Sequence, residues 1–205
     1  MKVSIPTSEE VIKRAKLHPS RVKAIYIFGS RVYGTSDYSS DWDFRVIANT
    51  PNTNQEIKSG DFNIHIQTPA HFQKLLDDHH PGALECFFAP SQFKILENHN
   101  FEFKLMIPRL RHNFSHTSSN SWVKCKKKLM QDDYHIGVKS LFHSLRIPLF
   151  GIQIAKSGKI TDFEEGNFIW EKIKTKPDWT WEELDSEFRN LKNNIMSDFR
   201  NCTIK

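Results

Sequence analysis

The sequence predicts an α+β fold: a short mixed or antiparallel sheet with covering helices, followed by a C-terminal helical domain or bundle. Short runs of β-branched and aromatic residues lie in the first half of the chain, and they indicate strands. Runs with apolar residues at helical spacing dominate the second half. The polar segment Asn113–Ser121 (NFSHTSSNS) between them is typical of a linker. We therefore predict two domains, at residues 1–112 and 122–205.

Composition and charge are those of a soluble protein with a substantial core. Of the 205 residues, 38% are hydrophobic, and 16 Phe and 5 Trp supply large core side chains. The net charge of +5 favours polyanionic partners such as nucleotides or nucleic acid. The three cysteines are widely spaced and predict reduced thiols. Because no stretch has the pattern of a signal peptide or a membrane span, we expect no membrane partner and a cytoplasmic location.

The first predicted elements lead to a sharp turn. A capping box at Thr7–Glu10 predicts a helix that ends near Leu17. The residues of Val22–Phe28 are typical of a buried strand. Gly29 ends that strand, and Ser30–Tyr33 can form the start of a short helix.

Further strands and helices complete the predicted sheet domain. Asp43–Ala48 is predicted as a second strand, and the turn-rich Thr50–Gly60 as a loop or hairpin connection. Apolar and polar residues alternate strictly in Asp61–Ile66, which predicts a half-buried strand. A covering helix should begin at Pro69, and Gly82–Phe88 should form an apolar turn or helix.

The second half of the chain is predicted to be helical. The lysine-rich Trp122–Met130 and the long Tyr134–Lys156 both have helical patterns. Pro148 should kink the longer helix, which we expect to end near Gly158. Thr180–Phe199 begins with a capping box and repeats apolar residues at helical spacing.

The segment from Gly29 to Asp43 carries the chemistry. Gly29 lets the backbone turn closely beneath phosphates, and Ser30 offers a hydroxyl and an N–H. Asp41 and Asp43 stand two residues apart in an extended segment, so both can face one side and share metal ions. Asp61 opens a neighbouring strand, faces the same way as Asn63 and His65, and can add a third carboxylate. Whether Asn63 or His65 contributes to the metal site stays open. Each piece also has a structural reading as an ordinary turn or solvated loop, but together they predict a site for a nucleoside triphosphate and its metals.

A family resemblance rests on these residues. Phe28–Phe44 (FGSRVYGTSDYSSDWDF) resembles the nucleotidyltransferase domain of the DNA polymerase beta superfamily. Its Gly-Ser-Arg-x-Tyr-Gly start and Ser-Asp-x-Asp end are similar to small stand-alone predicted nucleotidyltransferases, including members linked with RNA ligases. Asp61–Ile66 and Pro81–Glu85 match that branch in order. Trp42 is bulkier than usual between the acids, and a Pro-Gly pair replaces the expected Asn-Pro. The likeness covers roughly the first 100 residues well.

The resemblance implies a polymerase-beta-like core and transfer of a nucleoside monophosphate to an acceptor hydroxyl with release of pyrophosphate. The resemblance implies that Gly29 and Ser30 hold the triphosphate. Asp41 and Asp43 bind two Mg²⁺ ions, a role that Mn²⁺ can also fill. Asp61 binds the catalytic metal and helps to deprotonate the acceptor.

Several cations are predicted to assist the phosphates. Arg31 either assists them or is an exposed turn residue. Lys139, His143 and Arg146 match the family's helix and fall on one helical face, which either clasps the triphosphate or is a solvated stripe. Glu85 lies among apolar residues, where it either pairs with a cation or has a capping or solvated role.

Basic residues interleaved with aromatic ones lead into the helical half. They suit a phosphate backbone and stacked bases, although a solvated lysine-rich helix face is the alternative. We predict RNA as the acceptor, bound by Arg109, Arg111, Lys124 and Lys127. Two other functions stay open at this stage: transfer to a protein or small molecule, as in toxin or antibiotic-modifying relatives, and a catalytically inactive nucleotide-binding module.

Overall fold

A computed structural model describes residues 4–202, so residues 1–3 of the first predicted domain and residues 203–205 of the second lie outside the described residues. The chain divides between Lys104 and Leu105 into two compact units. The first contains a five-stranded sheet with helices, and the second is helical. The predicted α+β class is therefore confirmed. The assignment of a nucleotidyltransferase core to 1–112 and of a helical domain to 122–205 stays a prediction.

The first unit is built on a mixed sheet with the strand order β3-β4-β2-β1-β5. Only β2 and β4 pair in parallel, and the other neighbours are antiparallel. Its elements are α1 (Ser8–Arg14), β1 (Val22–Phe28), α2 (Ser30–Tyr33), β2 (Trp42–Ala48), β3 (Asn54–Ser59), β4 (Phe62–Gln67), α3 (Pro69–Asp77), α4 (Pro81–Phe87) and β5 (Lys94–Glu97).

Apolar and polar side chains alternate along β2 and β4, so the sheet has one apolar face and one polar face. One face is apolar and includes Phe44, Phe62 and Ile64, each at most 2% exposed. The other is the polar face, which we define by Asp43, Arg45, Asn63 and His65. Asp43 pairs with Asn63 and Arg45 with His65 in the parallel register. Both polar pairs therefore lie side by side on one surface.

Helices cover parts of both faces. On the apolar side, the Arg14 guanidinium of α1 lies 3.9 Å from the ring centre of Phe62. On the polar side, Phe72 of α3 stacks on Tyr26 of β1 with 5.7 Å between the ring centres. A Cβ added to Gly82 of α4 would lie 3.4 Å from Arg45 Nη2. The polar face is therefore covered at its Arg45 end by α3 and α4.

The second unit is a bundle of four helices among the described residues: α5 (Ile107–Leu129), α6 (Tyr134–Ser157), α7 (Asn167–Lys174) and α8 (Trp181–Asn201). Ser118 of α5 donates a hydrogen bond of 2.6 Å to the Ser144 carbonyl of α6. Phe114 and Phe199 approach with 6.2 Å between their ring centres, which joins α5 to α8. Among residues 4–202, no helix combines the length and apolar character needed to span a membrane.

The predicted linker needs correction, and one strand was missed. Asn113–Ser121 lies inside α5, where Phe114 and Ser118 are fully buried against neighbouring helices. Residues 50–60, predicted as a loop or hairpin connection, contain the edge strand β3, which pairs antiparallel with β4, and β5 was not predicted. Pro148 lies inside α6, and the kink that it should cause stays a prediction. For the linker and for β5, tertiary packing or strand pairing outweighs local composition.

Candidate active site

The Gly-Ser turn lies directly against one of the three predicted metal ligands. Gly29 has φ 83° and ψ −156°, a conformation that is essentially restricted to glycine. A Cβ added there would lie 2.5 Å from Asp43 Oδ2. Ser30 then begins α2, which ends at Tyr33 and is followed by Gly34 in the left-handed region. The missing side chain at position 29 is therefore what allows the turn to approach the acid.

Asp41 and Asp43 converge on one side chain, as their spacing predicts. The Asn63 Nδ2 group donates to Asp41 Oδ2 at 3.2 Å and to Asp43 Oδ1 at 3.1 Å. Lys58 Nζ also lies 3.5 Å from Asp41 Oδ2. The structure thus brings Gly29, Asp41 and Asp43 together. Carboxylate oxygens are the ligands that Mg²⁺ prefers, so this pair fits a divalent ion in its chemistry.

The structure does not bring the side chain of Asp61 to this pair. Asp61 lies in the turn before β4, and its Oδ1 accepts a hydrogen bond of 3.3 Å from Arg14 Nη1. Arg14 also donates to the Ser59 carbonyl at 2.9 Å, which fixes the guanidinium at this turn. Within residues 4–202, no group of three His, Cys, Asp or Glu side chains is arranged to hold a metal. The role of Asp61 as a metal ligand stays a prediction.

Arg31 forms its hydrogen bonds with the loop that contains Asp41. Its Nε donates to the Asp41 carbonyl at 3.3 Å, and its Nη2 donates to the Ser40 carbonyl. The guanidinium also lies 4.0 Å from the ring centre of Trp42, which is 5% exposed. The bulky residue between the two acids is therefore a buried packing partner for Arg31. A direct contact of Arg31 with phosphate stays a prediction.

Three buried polar residues, Tyr33, Arg45 and Glu85, lie in the first unit, and of these only Glu85 was singled out from the sequence. The Tyr33 hydroxyl at the end of α2 donates to Glu85 Oε2 of α4, and the two residues are 3% and 6% exposed. Arg45 is 7% exposed, and in the described structure its Nε and Nη1 have no hydrogen-bond partner. Burial raises the pKa of the Cys86 thiol to about 11, with Arg45 opposing and Glu85 adding to that rise. Both charges therefore lie near Cys86.

We expect the Tyr33–Glu85 hydrogen bond to stabilise the first unit. Tyr33→Phe removes the hydroxyl and leaves a buried carboxyl with one donor fewer, so the free energy of unfolding should fall by about 1.5–3 kcal/mol. Urea unfolding measures the loss. Tyr38→Phe is the matched control because Tyr38 is 96% exposed, and it should change stability by less than about 0.5 kcal/mol. Equal stability of the two variants would contradict the expectation.

The cations predicted on the second unit gather around His143. Arg146 Nη2 lies 3.0 Å from His143 Nδ1, and Arg146 is 2% exposed. Burial first, and then the charges of Arg146, Lys139 and Lys124, lower the pKa of His143 to about 3. The structure thus brings Lys139, His143 and Arg146 together, and adds Lys124, which the sequence predicted as an acceptor-binding residue. Their binding of a triphosphate stays a prediction.

This cluster predicts a pH dependence of stability. The pKa of His143 falls from an ordinary 6.5 to about 3 on folding, so between those values the unfolded chain binds more protons. Stability from this group is complete above 6.5 and is lost as the pH falls toward 3. From pH 7 to pH 5 we expect a loss of about 2 kcal/mol. Urea unfolding at both pH values should show this loss in the wild type and not in His143→Asn. The same pH dependence in both proteins would contradict the assignment.

Three of the four predicted acceptor-binding residues share one exposed stripe of α5. At 100° per residue, Arg109, Lys124 and Lys127 fall within about 60° of one another, and all three are exposed. The stripe from Arg109 to Lys127 is about 27 Å long. Arg111 lies on the other side of the helix, half-buried, and donates to the Cys202 carbonyl. Arg111 is therefore separated from the other three.

Comparisons with known proteins show a shared fold with a solved enzyme but no match to a protein family. No protein-family model and no curated protein matches the sequence. The spectinomycin adenyltransferase AAD(9) from Enterococcus faecialis, solved with ATP and spectinomycin, matches with a TM-score of 0.52 and 15% identity, over 96% of this chain and all of that chain. A nucleotidyltransferase-like protein from Exiguobacterium sibiricum matches over 95% of this chain and 73% of that one, with 11% identity and a TM-score of only 0.34. The likeness to the adenyltransferase shows that this chain shares the fold of a nucleotidyltransferase.

Proposed function

We propose that the chain is a nucleotidyltransferase, which moves a nucleoside monophosphate from a nucleoside triphosphate to an acceptor hydroxyl and releases pyrophosphate. The observation that carries this proposal is the contact between the Gly-Ser turn and the acids. Gly29 has a backbone conformation that is essentially restricted to glycine. A Cβ added to Gly29 would lie only 2.5 Å from Asp43 Oδ2. A phosphate-binding turn and a metal-binding carboxylate would then act on the same triphosphate.

Asp41 and Asp43 would hold divalent ions in this reaction. When bound, Mg²⁺ supplies positive charge that neutralises the phosphates and favours the ionised acceptor hydroxyl. The protein's own part is to position the groups. Gly29 and Ser30 would hold the phosphates close to the acids, and Arg31 holds the Ser40–Asp41 backbone in place. Because Asp61 contacts Arg14, the proposal rests on Asp41 and Asp43 and does not require Asp61.

The cation cluster of the second unit has a proposed role with the nucleotide. Lys139 is exposed, while His143 is half-buried and Arg146 is buried. Burial lowers the pKa of His143, and the nearby charges of Arg146 and Lys139 lower it further. Positive charges this close together repel one another, and a polyanion bound beside them would remove that repulsion. We therefore assign Lys139, His143 and Arg146 to triphosphate binding.

RNA is our proposed acceptor class. The exposed stripe with Arg109, Lys124 and Lys127 extends for about 27 Å, which suits an extended polyanion better than a compact ligand. Trp122 and Trp181 pack at 5.4 Å between ring centres beside the same end of α5. A hydroxylated small molecule is the second candidate, because the adenyltransferase that shares this fold was solved with ATP and spectinomycin.

The acceptor is tested by supplying ATP labelled at the α-phosphate together with separated RNA, protein and metabolite fractions. We expect label in RNA that is lost in the Asp43→Asn variant. Label confined to metabolites would support the second candidate, and label confined to protein would contradict both.

RNA affinity is tested separately by its salt dependence. The triple variant Arg109→Gln, Lys124→Gln, Lys127→Gln should reduce the slope of log K against log salt by about 2. Lys13, Lys156 and Lys159 are exposed elsewhere, so their triple Gln variant is a control matched in charge and should keep the wild-type slope. Equal slopes in the two variants would exclude the stripe as the RNA-binding surface.

A further inference from the structure

The two acids of the proposed site meet one further oxygen-bearing side chain, that of Asn63. Asn63 is the residue of β4 opposite Asp43 in the parallel register. One atom of its carboxamide lies 3.2 Å from Asp41 Oδ2 and 3.1 Å from Asp43 Oδ1. Position 63 is therefore where a third ligand from the neighbouring strand would lie.

We propose that Asn63 is the third protein ligand of the divalent ion that Asp41 and Asp43 hold, through its amide oxygen. This inference rests on the proposed function. It replaces Asp61, the third ligand that the sequence predicts, with an uncharged ligand two residues further along the chain. The resulting protein ligand set has two carboxylates and one amide, with a charge of −2 in place of −3.

The distances support this ligand set. Octahedral Mg²⁺ binds oxygen at about 2.1 Å, so two neighbouring ligand oxygens are about 3.0 Å apart. The carboxamide atom that faces the acids lies 3.2 Å and 3.1 Å from their oxygens, close to that separation. Asn63 thus needs little movement to become a ligand beside Asp41 and Asp43.

Either end of the Asn63 amide can take this place. With Nδ2 facing the acids, the amide donates to both carboxylates. A half-turn of the amide group exchanges the nitrogen for the oxygen at nearly the same position. Three oxygens at such short distances repel one another unless a cation lies between them, and amide oxygens are established ligands of hard cations. The same side chain can therefore hold the acids together or bind the ion with them.

Asp61 is held away from this position by its own contacts. Its Oδ1 is paired with Arg14 Nη1 at 3.3 Å, and the same guanidinium nitrogen donates to the Ser59 carbonyl. Arg14 also lies over the ring of Phe62 at 3.9 Å, on the apolar face of the sheet. The polar face presents Asn63 to the acids, whereas Asp61 is drawn toward α1.

The affinity for Mn²⁺ tests Asn63 as a metal ligand without an activity assay. It is measured from the electron paramagnetic resonance signal of free Mn²⁺, with and without a non-hydrolysable ATP analogue. Asn63→Ala should weaken Mn²⁺ binding at least about tenfold, and Asn63→Asp, which adds a carboxylate, should tighten it by about the same factor. Asp61→Asn should leave the affinity within about twofold of wild type. Lys58→Gln removes an exposed ion pair with Asp41 and should change the Mn²⁺ affinity by less than about fivefold.

The outcomes separate this inference from the proposed function. If Asp43→Asn abolishes Mn²⁺ binding while Asn63→Ala retains it and Asp61→Asn weakens it tenfold, Asp61 is the third ligand and Asn63 is not. If Asp43→Asn and Asp41→Asn both bind Mn²⁺ like the wild type, the proposed metal site itself is wrong. Circular dichroism and urea unfolding verify that each variant is folded. Because Asn63→Asp has nearly the shape of the native residue, its tighter binding is a second test that does not depend on the alanine variant, and unchanged binding there would overturn the proposal.

Discussion

Replacing Asp43 by Asn is expected to lower kcat/KM for nucleotidyl transfer by at least about a thousandfold, with little effect on the fold. The substitution keeps the shape of the side chain and removes the negative charge that would hold the metal. Stabilisation of the transition state by a bound ion contributes several kcal/mol, and about 4 kcal/mol corresponds to a factor of a thousand. Release of pyrophosphate from ATP, followed under saturating Mg²⁺, measures the change.

The control for this prediction is another aspartate of the same chain. Asp178 has a side chain that is 79% exposed, so Asp178→Asn removes the same charge from a solvated position. We expect its activity to stay within about twofold of wild type. Activity of Asp43→Asn within tenfold of wild type, in a folded protein, would exclude Asp43 from the chemistry.

Gly29→Ala is expected to have the second large effect, on activity and stability together. Its backbone angles of 83° and −156° are strained for any residue with a Cβ, at a cost of about 1–3 kcal/mol. The new methyl group would also lie 2.5 Å from Asp43 Oδ2, so the turn and the acid must move apart. A misplacement of about 1 Å can lower activity about a hundredfold. Urea unfolding and pyrophosphate release measure the two effects.

Gly158 offers a matched control for this substitution. It also has a positive φ, of 77°, at the C-terminus of α6, but an added Cβ meets nothing within 4 Å. Gly158→Ala should cost about 1 kcal/mol of stability and leave activity unchanged. If Gly29→Ala behaved like Gly158→Ala in both measurements, the close approach of the turn to Asp43 would have no functional role.

The sequence was sufficient for features that depend on local chemistry. The side chain of Thr7 caps α1, and Thr180 and Glu183 form the predicted capping box of α8. Gly29 and the spacing of Asp41 and Asp43 predicted a turn and a carboxylate pair, and the structure brings these groups together. Each of these features involves residues close in sequence, or residue types with few alternative conformations.

Features that depend on distant contacts were not predictable in the same way. Asn113–Ser121 has the composition of a linker, yet Ser118 bonds to Ser144 of α6 and the segment is helical. The contact of Asp61 with Arg14 joins residues 47 positions apart. The sequence left a contribution of Asn63 to the metal site open, because the register that places Asn63 opposite Asp43 becomes visible only in the assembled sheet.

Both ends of the triphosphate can be followed in one reaction to test whether Asp41 and Asp43 serve the transfer of a nucleoside monophosphate. ATP labelled differently at its α- and γ-phosphates is incubated with the protein, Mg²⁺ and the acceptor fraction that takes up label. We expect α-label in the acceptor and γ-label in pyrophosphate, in equal amounts, with both signals lost in Asp41→Asn and Asp43→Asn. Appearance of γ-label in the acceptor or as inorganic phosphate, or unchanged transfer by the two variants, would contradict it.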